Sequence, residues 1–215
     1  MPGRTYSRRT VLKLAAAALL VPALPVRAQE SPEITFVFPQ DPLVTHFTDS
    51  FGDPRSGGRA HRGNDLMAPK MTPVYAMAAG EITTIRDGGR AGRWVAVEHA
   101  AGWETWYMHL NNDTPGTDDG NAGWHHTVPT GLVEGSRVAA GQLIGWVGDS
   151  GNAEPSSPHT HFELHKNGRA IDPYSYLRDA HERALAGVVA DAMPAIGELI
   201  GEMGSTPLRP TKPLA

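Results

Sequence analysis

The chemistry of this chain rests on five residues: His61 and Asp65 in AHRGNDLMAP, His109 in WYMHL, and His159 with His161 in PHTHFELH. Two imidazoles and a carboxylate drawn from such a set can hold Zn²⁺ and leave one coordination position open, which a hydrolytic zinc site requires. Two further histidines then remain to move protons near neutral pH. The expected class is a zinc hydrolase with one zinc per chain.

Taken singly, each motif is weak. With ten histidines among 215 residues, an H-x-H pair or a His-x-x-x-Asp arises readily by chance. Local structure strengthens the pattern. Residues i and i+2 share a face of a strand, so His159, His161 and Glu163 should project together, as should Tyr107 and His109. His61 and Asp65 converge if Gly63 lets the backbone between them bend. Glu163 reads equally as a partner of a ligating histidine and as a plain strand carboxylate. Tyr107 reads equally as cleft wall or core. His125 and His126 fall in a polar, solvated loop, and His46, His99, His165 and His181 read as surface or framework residues.

The elements that must position these groups are short. Ile34–Phe38, Val74–Ala78, Gly80–Ile85, Trp94–His99, Glu104–Leu110, Gln142–Val147 and Thr160–His165 read as strands, separated by Gly, Pro, Asn and Asp breakers. This spacing predicts a mostly β, antiparallel domain rather than alternating βα units. Residues 111–131 are polar and glycine-rich, too long for a hairpin connection, and read as an excursion over one end of the sheet near His109. Trp94, Trp103, Trp106 and Trp146 read as core or cleft wall. From Tyr174 the apolar spacing turns helical and continues weakly past an interruption at Pro194. Residues 29–178 are expected to form the catalytic domain, 179–203 a helical segment and 204–215 a disordered tail.

Residues 1–28 read as a cleaved signal. Arg8-Arg9 precede an apolar stretch too short to span a membrane, and Val26-Arg27-Ala28 offers small residues for cleavage. The leader resembles a twin-arginine export signal, which implies a periplasmic or secreted protein without stable membrane insertion. The chain has 19 basic and 23 acidic residues; without residues 1–28 there are 14 against 23, a formal charge of −9. That balance argues against nucleic acid as a partner. There are no cysteines, so packing must hold the fold, with metal as an optional addition.

In their order the stretches HRGNDLMAP, AAGEITTI, VAVEHAAGWETWYMHL, VEGSRVAAGQLIGWVGDSG and PHTHFELHKNGRAIDPYSYL resemble the M23 (lysostaphin/LytM-type) peptidoglycan metallopeptidases. The resemblance covers residues 51–177. It implies a single β-sheet or sandwich catalytic domain of the LytM type, with His61, Asp65 and His161 as zinc ligands and His109 and His159 flanking the metal-bound water. It also implies peptidoglycan peptides as substrate, with the choice of bond open. All five positions are filled, unlike in the degenerate members of that family. Two other classes remain: a non-cutting LytM-like activator of cell-wall hydrolases, and a periplasmic zinc-binding protein that would use His125 and His126 for additional metal.

Overall fold

Trp94–Glu98 and Thr105–His109, dense in β-branched and aromatic residues, lie side by side at the centre of an antiparallel sheet. The computed structural model describes residues 34–205, with side chains through Met193; the leader, residues 29–33 and residues 206–215 lie outside the described residues. The strands are β1 (Pro54–Arg55), β2 (Arg59–Ala60), β3 (Asn64–Met67), β4 (Pro73–Tyr75), β5 (Gly80–Gly88), β6 (Gly92–His99), β7 (Trp103–Leu110), β8 (Arg137–Val138), β9 (Leu143–Trp146), β10 (His159–Lys166) and β11 (Arg169–Ile171). One helix, α1 (Tyr174–Ser205), follows.

The main sheet runs β11-β10-β7-β6-β5-β8. Strand β10 is its functional spine: β7 pairs along one edge, while β3 and then β11 share the other. A second, two-stranded sheet, β4 with β9, lies apart from it. Val74, Ile144 and Val147 from the β4–β9 region join Leu66, Ile82, Val95, Val97, Tyr107, Phe162 and Leu164 of the main sheet in one buried cluster, which Leu177 of α1 also enters. The fold is mostly β with a C-terminal helix.

Two local readings are corrected. Ile34–Phe38 is not a strand. Phe36 and Phe38 alternate into the core, but the pairing here is reduced to isolated bonds such as Val37 N–H to Met77 O. Helix α1 runs through Pro194 without a break. Proline frees the carbonyl four residues back, and Ala190 lies on an exposed turn where water can satisfy it. No helix among the described residues is long and apolar enough to cross a membrane.

The chain bends at Gly63 as expected, and glycine is required there for a second reason as well. A Cβ there would lie 2.0 Å from the Phe162 carbonyl oxygen and 2.8 Å from its carbon, so only glycine lets β3 approach β10. Gly63→Ala should cost about 3 kcal/mol of stability, the upper end for overpacking, because backbone rather than a flexible side chain must yield. Urea unfolding measures this; a cost below about 1 kcal/mol would show that the strands can separate freely.

Candidate metal centre

Asp65 and His161 are directly opposed residues of the β3–β10 pair, so strand geometry brings their side chains together. His61 arrives from the β1–β2 hairpin, whose pairing extends through His61 N–H to Asp53 O and Gly52 N–H to His61 O. Three atoms converge: His61 Nε2 lies 3.1 Å from Asp65 Oδ1 and 2.9 Å from His161 Nδ1, and His161 Nδ1 lies 3.0 Å from Asp65 Oδ1.

The protons on these rings follow from their other contacts. His61 Nδ1 lies 2.8 Å from the Ser50 carbonyl, an acceptor, and 2.8 Å from Arg55 Nη2, a donor; the tautomer that donates to Ser50 O presents a bare Nε2 to the cluster. His161 Nε2 faces Glu163 Oε1 at 3.2 Å, so it donates there and its Nδ1 is bare. With His61 in that tautomer, three lone-pair atoms face one another with no donor between them. A cation resolves this arrangement. Donors about a tetrahedral zinc stand roughly 3.3 Å apart, close to the separations seen, and two nitrogens with one carboxylate oxygen are a zinc-type set. Without a metal a proton must substitute. Burial alone would lower the pKa of His161, but Asp65 and Glu163 raise it above the ordinary histidine value. Asp65, despite burial, is held far below the carboxylate range by His161 and His61.

Glu163 is the orienting partner that sequence left undecided. It accepts from His161 Nε2 and, at 2.7 Å, from His165 Nε2, and His165 stacks on Trp106 at 4.4 Å. Burial would raise its pKa, but these hydrogen bonds bring it down to about 2. His165 is therefore a buried support, not a surface residue. Arg55, which sequence did not single out, places Nη2 2.6 Å from Asp65 Oδ2 and so occupies the carboxylate oxygen that faces away from the cluster.

His109 and His159 sit beside this cluster, with ring centroids 5.1 Å apart. Each Nδ1 meets a backbone carbonyl, Ser150 O at 2.9 Å for His109 and Ser157 O at 2.8 Å for His159, which fixes the hydrogen there and leaves each Nε2 bare. His109 and Tyr107 do not share a face. His109 has φ 61°, in the left-handed region rare for non-glycine residues, and this reverses its side chain into the cleft. Tyr107 stays in the core, where its hydroxyl accepts from Met77 N–H and burial raises its pKa to about 12.

Burial, then the neighbouring His159, lowers the pKa of His109 to about 4. Unfolded, it titrates near 6.5, so between these values the unfolded chain binds more protons and stability falls as pH falls. Burial depresses His99 in the same direction. His109→Gln should therefore lose less stability than wild type between pH 7 and 4.5, by roughly 2–3 kcal/mol. Parallel urea curves of the metal-free proteins would exclude this.

The cluster opens into a cleft of about 810 Å³ that includes Met108, Asn152, Ser156 and Ser157. No residue of 111–131 and no tryptophan lines it. The excursion is instead tied down: Asn111 bonds Asp113 O and His126 O, Arg93 bonds Ala122 O and Thr127, and Trp124 covers Arg93. The His125 and His126 rings lie 4.0 Å apart, and neither residue lines the cleft. Asp113, Asp118 and Asp149 converge as a second acidic group, but Lys70 Nζ stands among them, 2.6 Å from Asp113 and 2.9 Å from Asp149. The positive charge there is supplied by the chain.

A mostly β domain with a histidine–carboxylate cluster at the floor of a cleft defines a metallohydrolase-type centre. The model of peptidase family M23 matches residues 59–173, and the chain belongs to that family. It is 36% identical over 134 residues to the DD-carboxypeptidase/endopeptidase Mpg of Neisseria meningitidis, covering 62% of this chain and 26% of that protein. It is 30% identical over 151 residues to an L-Ala–D-Glu endopeptidase of Bacillus subtilis, covering 64% of this chain and 41% of that one. The chain therefore spans well under half the length of either relative. A zinc-containing peptidase from Vibrio cholerae superposes with a TM-score of 0.51 at 26% identity, over 64% of this chain and 38% of that chain.

Proposed function

We propose that this protein is an exported zinc endopeptidase that hydrolyses peptide bonds of bacterial peptidoglycan. The observation that carries the reading is the trio His61 Nε2, Asp65 Oδ1 and His161 Nδ1, two imidazole nitrogens and a carboxylate oxygen converging at about 3 Å from one another. The family, its endopeptidase relatives, among them a peptidoglycan DD-endopeptidase of Vibrio cholerae, and the zinc in the Vibrio peptidase support it. The arginine pair and apolar stretch of the leader support twin-arginine export to the periplasm or medium.

His61, Asp65 and His161 would hold the zinc, which supplies Lewis acidity to water and to the scissile carbonyl. Glu163, Ser50 O and Arg55 hold the three ligand groups in orientation. His109 is assigned as the base: burial favours its neutral form, and its anchored Nδ1 leaves Nε2 to accept a proton from attacking water. The proton His109 accepts is then the one available to the departing amine; His159, anchored the same way, would donate to that amine or to the oxyanion only after its own Nε2 has taken up a proton. The relatives cut different bonds, so both D,D cross-links and stem peptides are candidates.

Purified sacculi incubated with the zinc-loaded protein and then analysed by mass spectrometry of muropeptides should lose peptide-bonded species and gain new amino termini. Unchanged muropeptides across sacculi of differing cross-link chemistry would overturn the reading.

A further inference from the structure

The chain as a whole carries more acidic than basic residues, 23 against 19. Its cleft reverses that balance. Arg55, Arg59, Arg62 and Arg90 line it, against only Asp65 and Glu163 among carboxylates. Both acids are already engaged: Asp65 by Arg55 and the histidine cluster, Glu163 by His161 and His165. Arg59, Arg62 and Arg90 form no salt bridge with any carboxylate among the described residues. Three exposed arginines thus line one cavity without a salt-bridge partner among the described residues, and at longer range Arg62 acts on Glu163.

Their placement is two-sided. Arg59 belongs to β2 and Arg62 to the link into β3, on the β3 side of β10. Arg90 sits in the 3₁₀ turn Gly89–Ala91 between β5 and β6, on the opposite flank of β10, beyond β7. That turn is packed on the Ser150–Gly151 segment whose carbonyl holds His109: a Cβ on Gly151 would meet Arg90 O at 2.5 Å. The His61–Asp65–His161 cluster therefore shares its cleft with arginines from both flanks of β10.

We infer that the cleft selects peptides carrying free carboxylates on both sides of the scissile bond, with Arg59, Arg62 and Arg90 as the groups that read them. The inference rests on the peptidase reading and sharpens its substrate class. A guanidinium binds a carboxylate through two parallel N–H···O bonds, and a peptide bridge without side-chain carboxylates offers nothing for it to bind. Acidic stem peptides and their cross-links meet the requirement, whereas glycyl bridges do not. The local positive field also offsets the repulsion that the net-acidic surface would impose on such a substrate.

Binding separates this inference from the catalytic reading. Titration calorimetry with His109→Ala protein, which should hold peptide without cutting it, would compare an acidic stem peptide, its fully amidated counterpart and pentaglycine. The acidic peptide should bind roughly tenfold more tightly than the other two, and added salt should reduce the difference. Arg59→Gln/Arg62→Gln/Arg90→Gln should abolish the preference, and Arg90→Gln alone, remote from the β1–β2 hairpin, should weaken it. Equal binding of acidic and amidated peptides, or a preference intact in the triple variant, would overturn the inference. A carboxylate preference in a protein that leaves all sacculi uncut would support the role of the arginines while sinking the endopeptidase reading.

Discussion

His161→Ala is expected to lose both metal and activity, whereas His109→Ala keeps the metal and loses only rate. The difference follows from their places: His161 Nδ1 is one corner of the acceptor trio, while His109 stands beside it, its ring 6.1 Å from that of His161. Removing a proton-transfer group costs on the order of 10²–10⁴ in kcat. Removing one ligand of three leaves two donors, too few to hold a structurally defined zinc. Glu163→Gln should fall between, weakening metal affinity about 10–100-fold by freeing the His161 ring. Metal content after dialysis, measured beside kcat for each variant, separates the cases. Loss of zinc from His109→Ala as complete as from His161→Ala would show the roles to be wrongly divided.

Lys70→Met is expected to destabilise the domain by about 3–5 kcal/mol, the cost of leaving buried charge without its partner. Asp113 and Asp149 are 1% and 3% exposed, and Lys70 is the cation they share with Asp118. Burial tends to lower the Lys70 pKa, but its three carboxylates hold it above the normal lysine value. Burial has already raised Asp149 above the usual carboxylate value, so in the variant it should take up a proton and moderate the loss at low pH. Lys70→Met/Asp113→Asn/Asp149→Asn should recover much of the stability, because the uncompensated charges go with the lysine. Urea unfolding checks both variants; a cost under about 1 kcal/mol for Lys70→Met would show that water screens the acids. The cage anchors the 111–131 excursion beside Asp149-Ser150, so this variant also tests what keeps Ser150 O under His109.

The sequence carried the residues of the site better than their geometry. The i, i+2 alternation of β10 places His159, His161 and Glu163 on one face, all lining the cleft. The same rule fails at His109, because alternation assumes extended backbone and a left-handed φ at the strand's end is invisible to it. The long central strands were legible from their β-branched and aromatic density. The pairs β1–β2, β3, β8 and β11 were not, since strands of two to four residues have no period to read. That gap concealed the hairpin that presents Arg55 and Arg59 and the strand that opposes Asp65 to His161. Lys70 went unnoticed because its acids lie 43 to 79 positions downstream and only the fold brings them together. His165 read as framework, and its stacking on Trp106 beneath Glu163 is a tertiary fact with no local signature.

The trio of acceptors can be tested without any substrate. Protein stripped with chelator, then titrated with Zn²⁺ and measured by elemental analysis and X-ray absorption, should take one zinc per chain with two nitrogens and a carboxylate oxygen at about 2.0–2.1 Å. His61→Ala, Asp65→Ala and His161→Ala should each abolish this uptake. Zinc bound with unchanged stoichiometry and coordination in any of the three would contradict the assignment.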